Sequence, residues 1–264
     1  MPQSISRLQK HLRDLIDYWR AFRRQEYTEL KVHKVNTDDY ITAARKLHAE
    51  VYLDRKFVKP KDIVNGFLTS KIDSYYKHSQ YFVVTNKKTG AIIATARQIN
   101  AINSKGHNSF AMFKHTPLYK RSIKLITRHD PVDCVEISGL AKHRGVSKIA
   151  PLLLYRAMWQ HSVEQKHKLW LLACDYRLFV RLKLLFGPAI QKAGRASYYL
   201  GSNSVPAILN VPTSLRAMNR AVSGATFYER WLRRRVTRFM LNGLDESLLS
   251  ESERKALAEL RKKI

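Results

Sequence analysis

Apolar positions recur at three- and four-residue steps along the first stretch of the chain: Ile5, Leu8, Leu12, Leu15, Ile16 and Trp19. That period predicts an amphipathic helix over residues 4–25. Its other face carries Arg7, Lys10, Arg13, Arg20 and Arg24. The helix therefore either packs on the main body with a solvated basic face or rests on an anionic surface. The period then shortens to two: Leu30 to Val35 alternates and predicts a strand. Thr37, Asp38 and Asp39 open a helix running through Ala43, Ala44, Leu47 and Val51 to about Tyr52, because first-turn carboxylates suit the positive end of a helix. Residues 59–77 are polar and mixed, which reads as a loop holding a short helix.

Tyr81 to Thr85 and Ala91 to Arg97 flank the turn residues Asn86-Lys-Lys-Thr-Gly90, a β-hairpin pattern. Val132 to Leu140 is a further strand. A long helix is expected from about Ser147 to Gln165, with Leu153, Leu154, Ala157, Met158 and His161 on one face. Leu169 to Ala173 is a short buried strand. Tyr176 to Phe186 is a helix stopped by Gly187-Pro188. Tyr198 to Leu200 and Pro206 to Val211 complete the strands. Two helices follow, one over 226–241 ending at Asn242-Gly243, the other opened by Ser250 and Glu253 at capping-box spacing. This order predicts an α/β fold, a mixed sheet with helices on both faces. One domain is expected in three parts: residues 1–28 as the amphipathic helix, 29–212 as the core, and 213–264 as a helical extension.

Charge changes the picture. Lys and Arg number 48 against 21 Asp and Glu, a formal net charge of +27. An acidic partner follows from that: nucleic acid, an anionic membrane face, a phosphorylated ligand or an acidic protein. Two cysteines, Cys134 and Cys174, are too few for a disulfide framework or a cysteine-rich zinc module, so a reducing, cytoplasmic setting is expected. No apolar run follows Met1 and none approaches the ~20 residues of a membrane span, so neither a leader peptide nor a span is expected. His161 and His167 lack the spacing of a zinc pair, and no metal is expected.

The stretch Val135-Glu-Ile-Ser-Gly-Leu-Ala141, followed by Leu154-Tyr-Arg-Ala-Met-Trp159, resembles the GNAT acyltransferase superfamily, above all the N-acyl amino acid synthases and acyl-homoserine-lactone synthases. Asp73, the aromatic strand at Tyr81, the Gly90 turn and the strand ending at Arg97 fit the same pattern, and the resemblance spans about Leu30 to Val211. It implies a sheet of about six to seven strands in which two parallel neighbours, Asp133 to Leu140 and Leu169 to Ala173, splay apart. A pantetheine arm would lie in the splay like an added strand. The loop holding Lys142, Arg144, Gly145, Val146, Ser147 and Lys148 would take the arm's phosphate at the start of the long helix. The donor would be a phosphopantetheine thioester, with no permanently bound cofactor.

The resemblance also implies Glu136 as the base, directly or through a water, with Ser138 on the same face of the strand. Arg97 would either hold the carboxylate of an amino-acid acceptor or serve as a surface or structural arginine. Trp159 and Tyr176 are further candidates at the substrate, Trp159 together with Trp170, Phe82 and Met158 either lining an acyl tunnel or forming plain core. His143 is an alternative base or a solvated loop residue, and Cys174 a small core residue. The sequence departs from the family in three places. Gly145 is the only glycine of the loop. Gly139 stands where relatives carry Arg. No Tyr occupies the usual acid position near Leu182 and Lys183, Tyr176 being the nearest phenol.

The reaction implied moves a fatty acyl group from acyl carrier protein, in preference to CoA, to the amine of an amino acid or similar small amine. The basic charge suits an acidic carrier protein. Arg230, Arg233, Arg234, Arg235 and Arg238 beside Trp231 would dock that carrier or an anionic membrane, or simply face water. The rival readings are an acyl-homoserine-lactone-type signal synthase and a non-catalytic basic protein binding nucleic acid or an anionic membrane.

Overall fold

A computed structural model describes Arg20 and residues 26–199, 201–224 and 227–264. The helix expected over residues 4–25 lies outside these, Arg20 apart. In chain order the elements are β1 (Leu30–Val35), α1 (Asp38–Asp54), β2 (Ile63–Val64), β3 (Phe67–Leu68), β4 (Ser79–Asn86), β5 (Ile92–Asn100), α2 (Ala111–His115), α3 (Lys120–Ile126) and β6 (Cys134–Lys142). There follow α4 (Ala150–Glu164), β7 (Leu169–Asp175), α5 (Tyr176–Phe186), β8 (Ile190–Lys192), β9 (Ser197–Tyr199), β10 (Ser202–Asn210), α6 (Ser214–Ser223), α7 (Phe227–Leu241) and α8 (Glu251–Arg261).

Eight strands form one sheet in the order β1-β4-β5-β6-β7-β10-β8, with β9 also on β10. That is one more than the six to seven expected: β8, three residues long, is too short to show a period, whereas β9 meets the strand expected at Tyr198. Every pairing is antiparallel except β6 with β7. The lone parallel contact needs a crossover, and α4 supplies it.

Strand alternation builds a core on each face. Phe82 and Val84 of β4, Ala94 and Ala96 of β5, and Val135 and Ile137 of β6 pack under Leu153, Leu154, Met158 and Trp159 of α4. Tyr81 and Val83 turn the other way, against Ala44 of α1. On that second face Phe110, Met112 and Ile126 cover Leu169, Leu171 and Ile208. The helices after the sheet join the first core through Leu215, Met218, Val236 and Leu257.

Boundaries moved where local chemistry outweighed periodicity. The long helix begins at Ala150, not Ser147, because Pro151 occupies its first turn and the Ser147 hydroxyl accepts the Ile149 N–H in a turn ahead of it. At Ser250 and Glu253 both bonds of a capping box form. Residues 59–77 hold the small β2–β3 hairpin and two single 3-10 turns rather than one helix.

Candidate active site

The parallel pairing of β6 and β7 is short. It joins Cys134–Ile137 to Leu169–Leu172 and stops. Both strands run on, β6 held by β5 as far as Lys142 and β7 held by β10 as far as Asp175. From Thr95 to Arg97 β5 advances two residues while β6 covers three, Ala141 to Ser138, so β6 carries an extra residue. Gly139, at φ +64°, lies within this bulge. A bulge bends its strand, and here the bend coincides with the point where β6 leaves β7.

A pocket of about 150 Å³ occupies the opening. Ile137 to Leu140 form one wall and Leu172 to Asp175 the other. Tyr155 of α4 and Leu178 of α5 reach it from one side. Tyr52 of α1, Phe57 and Tyr199 close the rest, with Ser202 and Ser204 at the edge. Gly201, at φ +74°, lets the β9–β10 turn press on the loop after α1: a Cβ there would stand 2.7 Å from the Phe57 Cα. A larger cavity, about 590 Å³, lies away from both strand ends, between Lys166–Lys168, the β10–α6 loop and the start of α8. Its only carboxylate, Glu253, is tied into the α8 cap.

Glu136 lines the pocket and is only 2% exposed. Its neighbours Val135 and Ile137 point to the α4 core, which turns Glu136 to the other face. There Oε2 accepts the Met112 N–H at 3.2 Å from the start of α2. Burial raises the Glu136 pKa to about 7, against the opposing pull of the Met112 and Ala111 N–H groups and of Arg97 and Lys114. A carboxyl poised near neutrality exchanges protons readily. Ser138 is half-buried on the pocket wall.

Arg97 is paired with Ser138 across β5 and β6 and is 3% exposed. Its Nη1 contacts both Asp73 carboxylate oxygens at 2.8 Å and donates to the Tyr81 hydroxyl at 3.1 Å. Much of the fork is thereby committed within the protein. His48, from α1, is buried alongside. Burial first, then Arg97 and Arg45, hold its pKa well below the usual imidazole value. Sequence reasoning missed His48, Tyr52 and Tyr199. The first two lie four apart on α1 and share one face, a signal that was available. Tyr199, stacked on His115 at 4.7 Å, arrives through the β9–β10 hairpin and carried no local mark.

The loop before α4 is tied down. Lys142 Nζ donates to the Val146 carbonyl at 2.9 Å, and Arg144 makes two 2.9 Å contacts with Asp54 of α1. Gly145 takes φ +76°. Burial, then Arg55, Lys148 and Arg181, lower the Lys142 pKa. Four cations thus converge at the start of α4, two of them, Arg55 and Arg181, from elements whose sequence gave no hint of proximity. Such a cluster suits a phosphate.

Trp159, Trp170, Tyr176 and His143 lie apart from the pocket. Trp159 is fully buried in the α4 core, its Nε1 donating to Ser214 Oγ at 2.9 Å. Trp170 donates to Ser162 Oγ at 2.6 Å. Tyr176 is 61% exposed at the first turn of α5 and does not line the pocket. His143 faces Glu50 at 3.7 Å on the surface. Cys174 does line the pocket, but burial, with Asp175, pushes its thiol up to about 12 and keeps it protonated. Among the described residues no cluster of three or more His, Cys, Asp or Glu forms that could hold a metal. No helix among them is long and apolar enough to cross a membrane.

No protein-family model matches the sequence, and no curated protein matches it. Solved structures do. FeeM, an N-acyl amino acid synthase from uncultured soil microbes, superposes with a TM-score of 0.55 at 13% identity, over 71% of this chain and 94% of that one. BjaI, a CoA-dependent acyl-homoserine lactone synthase, gives 0.51 at 10% identity over 86% and 98%. MesI, another CoA-dependent acyl-homoserine lactone synthase, gives 0.50 at 11% identity over 84% and 100%. A mixed sheet opened between its two parallel strands, superposing on these proteins over most of their length, gives the chain the GNAT-type acyltransferase fold in the form that N-acyl amino acid and acyl-homoserine lactone synthases share.

Proposed function

We propose that this chain is an N-acyltransferase. It moves a fatty acyl group from a phosphopantetheine thioester to the amine of an amino acid or similar small amine. The observation that carries this reading is the opening between β6 and β7 with the Glu136 carboxyl buried on its wall. The backbone edges freed beyond Ile137 and Leu172 suit the amides of an extended pantetheine arm. The arm's phosphate then falls to the cations at the start of α4, with Lys142, Arg144, Gly145, Val146, Ser147 and Lys148 forming that end of the site.

Glu136, as carboxylate, takes a proton from the acceptor amine, directly or through a water. The neutral nitrogen forms a bond to the thioester carbonyl carbon, and the carbonyl electrons move to oxygen. An unpaired N–H of β6 near the bulge meets that oxyanion. Collapse re-forms the carbonyl and breaks the carbon–sulfur bond; the nitrogen, cationic since its attack, gives up its second proton, and the departing thiolate takes that proton up. Thiolate is a good leaving group, so the absence of Tyr at the usual acid position is tolerable. Ser138 orients the acid or the thioester.

The donor we favour is an acyl carrier protein rather than CoA. The loop lacks a glycine-rich diphosphate cradle, and a net charge of +27 favours an acidic protein partner. The test is mass spectrometry of the purified protein given acyl carrier thioester, acyl-CoA and a pool of amines. An N-acyl product that disappears in Glu136→Gln is expected. Binding of duplex DNA with a steep salt dependence and no acyl product would give the protein to the non-catalytic alternative instead.

A further inference from the structure

Two buried nitrogens lie beside the bulge glycine without a hydrogen-bond partner in the protein, the Arg97 Nε–H a donor and His48 Nε2 a donor in one of its two tautomers. His48 Nε2 and Arg97 Nε are both shielded from solvent and neither has a hydrogen-bond partner. Leaving a buried N–H unmade is expensive, and two at one place call for an acceptor. A Cβ at Gly139 would stand 3.3 Å from His48 Cε1 and 3.4 Å from Arg97 Nε. Gly139 itself lines the pocket. Its bare Cα thus lets the pocket wall run close against the two side chains, which sit directly behind the wall at this glycine.

The field there is positive. Arg97 and Arg45 both act on His48, and Arg97 and Lys114 both act on Glu136. Asp73 answers Arg97, and Glu136 is the second acid of the cluster. Arg45 instead spreads its guanidinium over the Tyr76 ring at 3.9 Å, with no carboxylate partner among the described residues. Lys114 lies over the Tyr75 ring. Three cations thus outnumber two acids, one of them poised near neutrality. A group that reaches the two nitrogens past Gly139 is favoured if it is a negatively charged acceptor of hydrogen bonds.

We infer that His48 is a specificity residue, and that its Nε2–H and the Arg97 Nε–H together hold the carboxylate of the acceptor, so that the acceptor is a free amino acid and not a cationic or neutral amine. This rests on the acyl-transfer reading. It differs from a plain Arg clamp, because Arg97 Nη1 is already bound to Asp73 and the recognition depends on the imidazole as well.

The test uses His48→Gln, which keeps a donor at the Nε2 position, and His48→Met, which keeps the volume without one. Binding of a panel of N-octanoyl amino acids and their carboxamides is measured by calorimetry, with no donor thioester needed. Wild type and His48→Gln should prefer the carboxylate member of at least one pair. His48→Met should lose about tenfold in affinity for that member and little for its amide. In turnover the same loss should fall on the acceptor KM and leave kcat nearly intact. Equal affinity for carboxylate and carboxamide in wild type, no binding of any panel member, or an equal loss for both members in His48→Met, as expected if only water reaches the two nitrogens, would overturn the inference. A carboxylate preference in binding with no acyl product from any amine would instead sink acyl transfer and leave the clamp standing.

Discussion

On the acyl-transfer reading, one proton on Glu136 links activity to stability. Its pKa of about 7 in the folded chain exceeds the ordinary 4.5. Between those values the native state keeps a proton that the unfolded state has lost, so stability falls as pH rises through that window. The cost is fully present above pH 7 and amounts to roughly 3 kcal/mol at 1.36 kcal/mol per unit. Glu136→Gln keeps an oxygen for the Met112 N–H and removes the titration. We expect this variant to melt above wild type at pH 8 and level with it near pH 4.5, by thermal denaturation. Its acyl transfer should fall by about 100-fold or more, and the rise of wild-type kcat/KM through pH 7 should vanish with it. Equal melting at both pH values would show that the carboxyl is not buried as described. Gly139 is the second sensitive residue. Gly139→Ala imposes an L side chain at φ +64° and crowds His48 and Arg97, so a loss of about 1–2 kcal/mol by chemical denaturation is expected. In the sequence Gly139 reads as a missing Arg. Only the register shift against β5 reveals that the position needs a positive φ, and a register shift is a property of two strands.

At the scale of elements, strands and long helices were legible because each buries one face and therefore repeats. The hairpin at Asn86–Gly90, the β1–α1 pair and the α8 cap all stand within a few residues of where their patterns put them. What escaped was short or assembled from afar. α2 and α3 span 5 and 7 residues, too few for a helical period to declare itself. α6 is different: Leu215, Met218 and Val222 do recur at helical steps and are buried, so its signal was present and unread. The splay was implied by resemblance alone, since nothing in either strand's own sequence fixes where pairing stops. The Asp73–Arg97 pair joins a loop to β5 beneath α1, which makes it an element-scale bond. Both partners are buried, so Asp73→Asn strands a charged guanidinium. A loss of about 3 kcal/mol is expected, read by urea denaturation. A double variant, Asp73→Asn with Arg97→Met, should recover part of it, because the uncompensated charge is then gone. If the single variant loses under about 1 kcal/mol, water must already reach Arg97.

Across the whole molecule the governing quantity is charge. A field from a net +27 acts at long range, whereas the pocket reads its ligand at contact distance, so the two separate by ionic strength. Salt shrinks the Debye length to about 10 Å at 0.1 M and about 3 Å at 1 M. An acidic carrier protein steered by the field should lose encounter rate over that range, while a small uncharged donor such as an acyl-pantetheine should not. CoA stands between them: on the proposed reading its phosphates would meet the cations at the start of α4. Arg55 is exposed there and Lys148 half-buried, and both act on Lys142. Arg55→Ala and Lys148→Ala should each raise the KM for any phosphate-bearing donor several-fold, with kcat unchanged. Acyl-pantetheine, lacking the phosphate, should be indifferent to both. Kinetics with the three donors from 0.05 to 1 M salt therefore separate steering from contact. A steep fall for the carrier-bound donor alone would make it the natural one. Parallel salt curves for carrier and CoA would mean that the excess charge serves another surface, and the arginine-rich face of α7 would then be the first place to look.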